Sequence, residues 1–407
     1  MRALRILHVT PYYEEAWAYG GIPRLSATMG RGLARRGHQV TVCTTDACEQ
    51  GVRLSRPNGT RRSLRPWPVI QAADGVELRV FPNVSNALAY HLQFFVPLGL
   101  GAYLRQHVQG FDVAHVHGCH HLPGTTAARH LRQAGVPYVL APNGTAPRIE
   151  RRRLAKYLFD ATLGRGLIPG ASRILAVSEA ERIQLASLGL SPASIRVIPN
   201  PVDVAEFADP PPPGRFRRRF GVTAPRVVLY LGTLTPRKRV DVLIRAFASL
   251  RRSDATLVIA GNDLGAGRAL RRLVHRLGLE AVATFTGLLK GRDRLEALID
   301  ADLVVYPAQD EIFGLVPLEA LLCGTPVIVS DDSGCGEVIG RAGGGSVVRR
   351  GDAAALAEAI TRMLGGARTW RQAALDARER VRRLYGWDTV REQLEALYDE
   401  LARRHSV

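Results

Sequence analysis

The chain has 407 residues, enough for two domains that each bury a core of their own. A hydrophobic share of 46% and a charged share of 23% are globular values, which excludes a disordered or collagen-like chain. The formal net charge of +18 rests almost wholly on arginine, since Lys156, Lys238 and Lys290 are the only lysines. Such a balance favours anionic partners: nucleic acid, an anionic membrane surface or phosphorylated substrates.

Cys43, Cys48, Cys119, Cys323 and Cys335 are scattered, without a CxxC pair or zinc spacing, so reduced thiols are expected. The first nine residues read as a strand and not as a signal peptide. The most apolar later segment, Phe94 to Tyr103, contains Pro97 and falls well short of the roughly 20 residues a spanning helix needs. The expectation is a cytoplasmic protein that is soluble or at most lies on a membrane.

Arg5 to Thr10 is apolar without alternation, the pattern of a buried parallel strand. It runs into Tyr19-Gly20-Gly21-Ile22-Pro23, then a helix over 24–36 with Leu25, Met29 and Leu33 on one face, then a strand over 40–44. A strand, a glycine loop, a helix and a strand open a doubly wound sheet. Gly20 and Gly21 would let the backbone approach a phosphate closely, although glycine pairs also simply make turns. Residues 50–75, rich in Arg, Pro and Gly, read as an exposed insertion before a strand over 76–81.

Asp112 to Gly118 is the next strand and its turn. Alternation puts His115 and His117 on one face, and with Cys119, His120 and His121 they raise a metal reading. No acidic ligand or matching Cys/His pair stands nearby, so no metal is expected. A strand-end His117 lining a ligand site and a packed histidine are the two remaining readings. Val136 to Thr145 is another strand, ending in a turn at Asn143. Residues 148–166 form a basic amphipathic helix, with Arg151, Arg152, Arg153, Lys156 and Arg165 near Leu154, Tyr157, Leu158, Phe159 and Leu163. Such a helix either touches anionic lipid or presents a solvated basic face.

A strand over 172–178, a helix from Glu179 and a short strand over 195–199 lead to the Pro210–Pro213 run, which reads as a linker and boundary. Strand–helix alternation then restarts, with strands over 227–232, 256–261, 283–286 and 303–306. Helices over 240–251, 268–277 and 292–299 separate them, and helices over 353–364, 369–384 and 387–404 close the chain. DNA-binding motifs and aromatic-rich basic platforms are absent, so no nucleic-acid partner is expected.

The most informative stretch runs from Tyr306 to Glu337. Pro317 suits the first turn of a helix and Gly324 the position past its end. The helix start, at Gly314 and Leu315, offers unpaired amides and a positive dipole end to an anion. Glu311 and Glu319 straddle that start, and carboxylates suit the hydroxyls of a sugar or ribose better than a phosphate. A nucleotide sugar carries both chemistries. The plainer alternative is a solvated loop with a helix-start glutamate. Asp300-Ala-Asp302 has the form of a metal-binding DxD, but it joins a helix to a buried strand and is read as structural. Asp331-Asp332 stands beside this candidate site, and Ser333 to Glu337 reads as a loop next to it.

Glu311 and Glu319 around Phe313-Gly314-Leu315, followed by Gly324-Thr325-Pro326-Val327, resemble the donor-site signature of the family 4 retaining glycosyltransferases. The resemblance covers nearly the whole chain. It implies the GT-B fold, an α/β architecture of two Rossmann-like doubly wound domains facing across a cleft, with a C-terminal helix crossing back to the first. The corresponding bounds are 1–205 for an acceptor-side domain, 206–385 for a nucleotide-sugar domain and 386–407 for the helix.

The implied reaction is transfer of a sugar from a UDP- or GDP-sugar to a hydroxyl acceptor with retention of configuration, without a cofactor or metal. Lys238 matches the family's lysine at the leaving phosphates, and Gly21, next to Gly20, matches the loop glycine beside the diphosphate. Glu311 would orient the sugar, Glu319 would bind the ribose, and the amides of Gly314 and Leu315 would meet sugar and phosphate oxygens, with Phe313 beside them. The family's Gly-Arg-Leu loop is here Gly232-Thr233-Leu234, so Arg237 or Arg239 would have to supply the missing charge. Asn143 stands where many relatives have histidine; it can position a hydroxyl but cannot take a proton. The expected acceptor is a lipid-linked or cell-surface glycan intermediate of polysaccharide biosynthesis, met at the inner membrane face by a peripheral enzyme. A soluble acceptor, or a non-catalytic relative that binds anions or nucleic acid, are the alternatives.

Overall fold

The computed structural model describes residues 2–49, 52–54, 69–71, 74–147, 153–332 and 334–405. They form two compact units, one of Met1–Pro201 with Trp387–Val407 and one of Val202–Gly386. The division falls after Pro201, so the Pro210–Pro213 run lies inside the second unit and is not the boundary. Its end is tied down there, because the N–H groups of Gly214 and Arg217 donate to the Asp300 carboxylate at 2.5 and 3.1 Å.

The first unit holds an eight-stranded sheet. From one edge the order is Ile195–Val197, Arg173–Ala176, Tyr138–Ala141, Val113–His117, Arg5–Val9, Gln39–Thr45, Val76–Phe81 and Val69–Gln71. Every pair is parallel except the last. Ile6, Leu7, Val9, Val42, Val113, Val116 and Leu140 are fully buried, as strands covered on both faces require. The expected 50–75 insertion lies largely outside the described residues. Of its described parts, Val52–Arg53 pairs with Ala47–Glu49, and Val69–Gln71 adds the antiparallel edge.

The C-terminal helix, Trp387–His405, belongs to this first unit. Gly32 in the Ile22–Ala34 helix makes room for it: a Cβ there would lie 2.0 Å from the Trp387 ring. Tyr398 is fully buried and its hydroxyl meets His115 Nδ1 at 2.5 Å, while Arg173 pairs with Glu400 at 3.1 Å. A buried phenol needs such a partner, and the central strand supplies it.

The second unit holds a six-stranded, all-parallel sheet. Its order is Ala283–Gly287, Ala255–Ala260, Arg226–Leu231, Leu303–Tyr306, Val327–Ser330 and Gly345–Val348. Chain order therefore reverses between Arg226–Leu231 and Leu303–Tyr306. In an open α/β sheet, a ligand crevice opens at the carboxyl ends of the strands flanking that switch point. One expectation is corrected here: Gly334–Ala342 is a helix and not a loop. Its buried face, Cys335, Val338, Ile339 and Ala342, has helical spacing, but Gly334, Gly336 and Gly340 hide that period from a sequence reading.

Candidate functional site

Loops leaving the two switch-point strands carry Arg237, Lys238 and Glu311. Arg226–Leu231 runs through Gly232 to a short turn, Pro236–Lys238, and Leu303–Tyr306 runs into the loop that holds Glu311. These loops meet. The Gln309 N–H donates to the Arg237 carbonyl at 2.8 Å, and Arg237 Nη1 donates to the Asp310 carbonyl at 3.0 Å. Gly261, on the neighbouring strand end, leaves space for the first loop, since a Cβ there would sit 1.7 Å from the Gly232 carbonyl oxygen.

At their junction Lys238 Nζ donates to Glu311 Oε2 in a buried ion pair. Tyr306 closes the group: its hydroxyl accepts from Lys238 Nζ at 2.5 Å and donates to Glu311 Oε2 at 3.2 Å. Burial pushes the Glu311 carboxyl up, but Lys238, Arg237 and the hydrogen bonds of Lys238 and Tyr306 outweigh it and hold it down at about 2. Burial also pulls the Lys238 ammonium below its ordinary value, against the pull of Glu311. Of the two candidate arginines, Arg237 stands at this group. Arg239 instead bonds Asp241 at 3.2 Å and Gln309 at 3.1 Å. Thr233 offers no charge; its carbonyl accepts from Tyr230 Oη at 2.8 Å.

The helix Leu315–Leu322 starts beside this group. Gly314 is its cap, with φ +76° and no side-chain hydrogen bond to the first turn. A side chain at Gly314 would strike Cys335 Sγ, 2.6 Å from the position of its Cβ. Cys335 thus packs under the helix start, and its N–H donates to the Glu311 carbonyl at 3.1 Å. Gly324, at φ +72°, ends the helix as Pro326 and its sequence position predict. Phe313 is buried and packs edge-on against Tyr385, with ring centres 5.5 Å apart, so it supports the loop from the core side. Asp332 Oδ2 accepts from the Asp310 N–H at 3.1 Å and holds the same loop from the other side.

Glu319 is placed differently from Glu311. It is 1% exposed, and its carboxylate pairs with Arg294, which also reaches Glu206. A ribose would therefore have to meet a carboxylate already engaged by a guanidinium. Removing one member of a buried pair leaves an uncompensated charge. Arg294→Leu is expected to destabilise the fold by about 3–5 kcal/mol, read as a lowered denaturation midpoint, with Glu319→Gln added to the same chain recovering much of it. Asp300 and Asp302 are structural. Asp300 accepts the two backbone bonds described above, and Asp302 pairs with Arg217 at 3.0 Å and Arg226 at 2.9 Å.

In the first unit, Gly21 caps the Ile22–Ala34 helix without a side-chain hydrogen bond, and Gly20 takes φ +96° just before it. This helix start is exposed at Gly21. His117 is fully buried, with Nε2 3.1 Å from His8 Nδ1, so the packed-histidine reading holds and its ring faces the core. His8, His115 and His117 form a stack with ring centres 4.2–5.2 Å apart. Among the described residues no group of three or more His, Cys, Asp or Glu could hold a metal ion. Asn143, at φ +51°, accepts from Asn200 Nδ2 at 3.1 Å. Glu181, which sequence reasoning missed, is fully buried and accepts from the Gly144 and Val177 N–H groups at 2.7 and 2.8 Å.

Residues 215–380 match the family described as glycosyl transferases group 1, and residues 19–206 match glycosyltransferase family 4. A D-inositol 3-phosphate glycosyltransferase from Kineococcus radiotolerans is 31% identical over 81% of this chain and 77% of the relative. Among solved structures, HepE from Anabaena in complex with UDP and glucose superposes with a TM-score of 0.73 at 19% identity, covering 98% of this chain and 100% of that one. Sucrose-phosphate synthase from Thermosynechococcus elongatus gives 0.75 at 22% identity, covering 98% and 99%. Both likenesses are of fold, and the fold is GT-B.

Proposed function

The chain belongs to the family 4 glycosyltransferases, and from that premise we propose that it transfers a hexosyl group from a UDP- or GDP-sugar to a hydroxyl with retention of configuration. The observation that carries this reading is the Lys238–Glu311 pair at the switch point, beside the uncapped helix start at Gly314. Without a donor each charge compensates the other. With a donor, the diphosphate takes Lys238 and the amides of Gly314 and Leu315, and the sugar hydroxyls take Glu311. Lys238, with Arg237 behind it, then neutralises the charge that grows on the departing diphosphate, where a fixed cation is worth most. Glu311, ionised at every workable pH, accepts hydroxyl hydrogens and does not act as an acid. A donor phosphate oxygen deprotonates the acceptor, so no strong protein base is required of Asn143.

The proposed acceptor is a lipid-linked glycan, met by a peripheral enzyme on an anionic membrane face. Leu154, Tyr157 and Leu158 share one face of the Arg153–Ala161 helix and, with Leu163, are 54–72% exposed, a large apolar surface beside Lys156 and Arg165. Among the described residues no helix is long and apolar enough to cross a membrane. A soluble phosphorylated polyol is the second reading, favoured by the name of the relatives. The test is to mix the protein with UDP- and GDP-sugars and either a lipid-linked glycan in anionic vesicles or a soluble inositol phosphate, reading the product anomer by NMR. Transfer with retention is the expected result, to the vesicle acceptor. Transfer to the soluble acceptor alone would replace the first acceptor with the second, and no turnover with any donor would sink the reading.

A further inference from the structure

Tyr306 belongs to the charged group but to no motif in the sequence. Its ring is buried and lies nearly parallel to Tyr230, 6.1 Å between centres at 8°. Tyr230 in turn donates to the Thr233 carbonyl. The two tyrosines thus link the strand that leads to Lys238 with the strand that leads to Glu311, below both loops. Lys238 Nζ stands 4.8 Å from the centre of the Tyr306 ring and bonds its hydroxyl, so the phenol fixes where the ammonium points.

We infer that Tyr306 is a positioning residue for Lys238, holding the ammonium charged and directed while donor replaces Glu311 as its partner. The inference rests on the reading of Lys238 as the group that meets the diphosphate. When Glu311 turns to the sugar, Lys238 exchanges that acceptor for the diphosphate oxygens. In a buried site, an ammonium holds its proton and its direction less firmly with each acceptor it lacks during that exchange. The Tyr306 oxygen remains as an acceptor at that moment. Because Thr233 offers no side-chain charge, more of the phosphate's stabilisation falls on this one lysine. The titratable and charged groups facing it are Glu311, Arg237, Tyr306 and Cys335, and the phenol and thiol are both pushed far up by burial, so neither adds a charge near neutrality.

The experiment compares wild type with Tyr306→Phe, which keeps the ring and its stacking, and with Tyr230→Phe as a control. The chain has three lysines, so the reactivity of each toward acetic anhydride can be followed against pH by mass spectrometry of the intact, folded protein. In Tyr306→Phe the Lys238 titration is expected about one pH unit lower, with Lys156 and Lys290 unmoved and Tyr230→Phe like wild type. In turnover, kcat/KM for the nucleotide sugar is expected to fall about tenfold, with the alkaline limb of its pH profile shifted the same way. An unchanged Lys238 titration in Tyr306→Phe overturns the inference whatever the activity. A shifted titration in a protein that turns over no nucleotide sugar leaves the link between the residues standing and removes the functional reading instead.

Discussion

Lys238→Met is expected to lower kcat by about 10²–10³-fold with any accepted donor, the scale of losing one fixed group aimed at developing charge. Methionine fills a similar volume, so the loops keep their packing and the missing quantity is charge. Stability falls as well, because Glu311 is then left buried beside a neutral side chain. The double variant Lys238→Met, Glu311→Gln separates the two effects: its melting temperature recovers towards wild type while its turnover does not. Should Lys238→Met retain activity within a few-fold of wild type, the leaving phosphates are stabilised elsewhere, with Arg237 the nearest candidate.

The second large effect is acid lability of the first unit. His8, His115, His117 and His121 are buried in its centre, and burial is the main cause that pulls each below the ordinary histidine value, His8 to about 3 and His121 to about 4. His115 and His117 are lowered further by their histidine neighbours. Because the folded state refuses protons that the unfolded chain accepts below about 6.5, stability is present above that pH and is lost as pH falls. At pH 5 His8 and His121 each cost about 2 kcal/mol, and His115 and His117 act in the same direction. Glu181 works in the opposite sense: burial raises it to about 7, so it binds its proton in the folded state first and returns about 3 kcal/mol by pH 5. The four histidines together outweigh Glu181, so acidification lowers the stability of this unit. Thermal melts from pH 7.5 to 5 should show a steep decline, steepest below 6.5, and His117→Gln should flatten it. A melting temperature constant across that range would mean that the stack opens to water and takes protons without unfolding.

The stack also shows what a sequence leaves undecided. Alternation put His115 and His117 on one face, but their burial depends on His8 from the adjacent strand and Tyr398 from the far end of the chain, a contact spanning 283 positions. Apolar runs, turn glycines and strand–helix alternation are local, and they were enough for two doubly wound α/β units; the GT-B fold was implied by the family resemblance of the donor-site signature, and the structural relatives bear it out. Where glycines interrupt the helical period, as at Gly334, Gly336 and Gly340, local reading took a helix for a loop. The spacing of Glu311 and Glu319 marked the helix start at Gly314, yet it could not tell that one carboxylate faces Lys238 while the other is enclosed with Arg294. That difference arises because a buried charge takes whichever opposite charge the packed sheet and its helices bring within reach, and Arg294, Glu206 and Tyr306 come from elements that no spacing rule connects. Local pattern determined most of the elements and their order along the chain; the tertiary structure decided the strand order, the switch point and which charges meet there, because strand pairing, ion pairs and hydrogen bonds depend on distances that only packing sets.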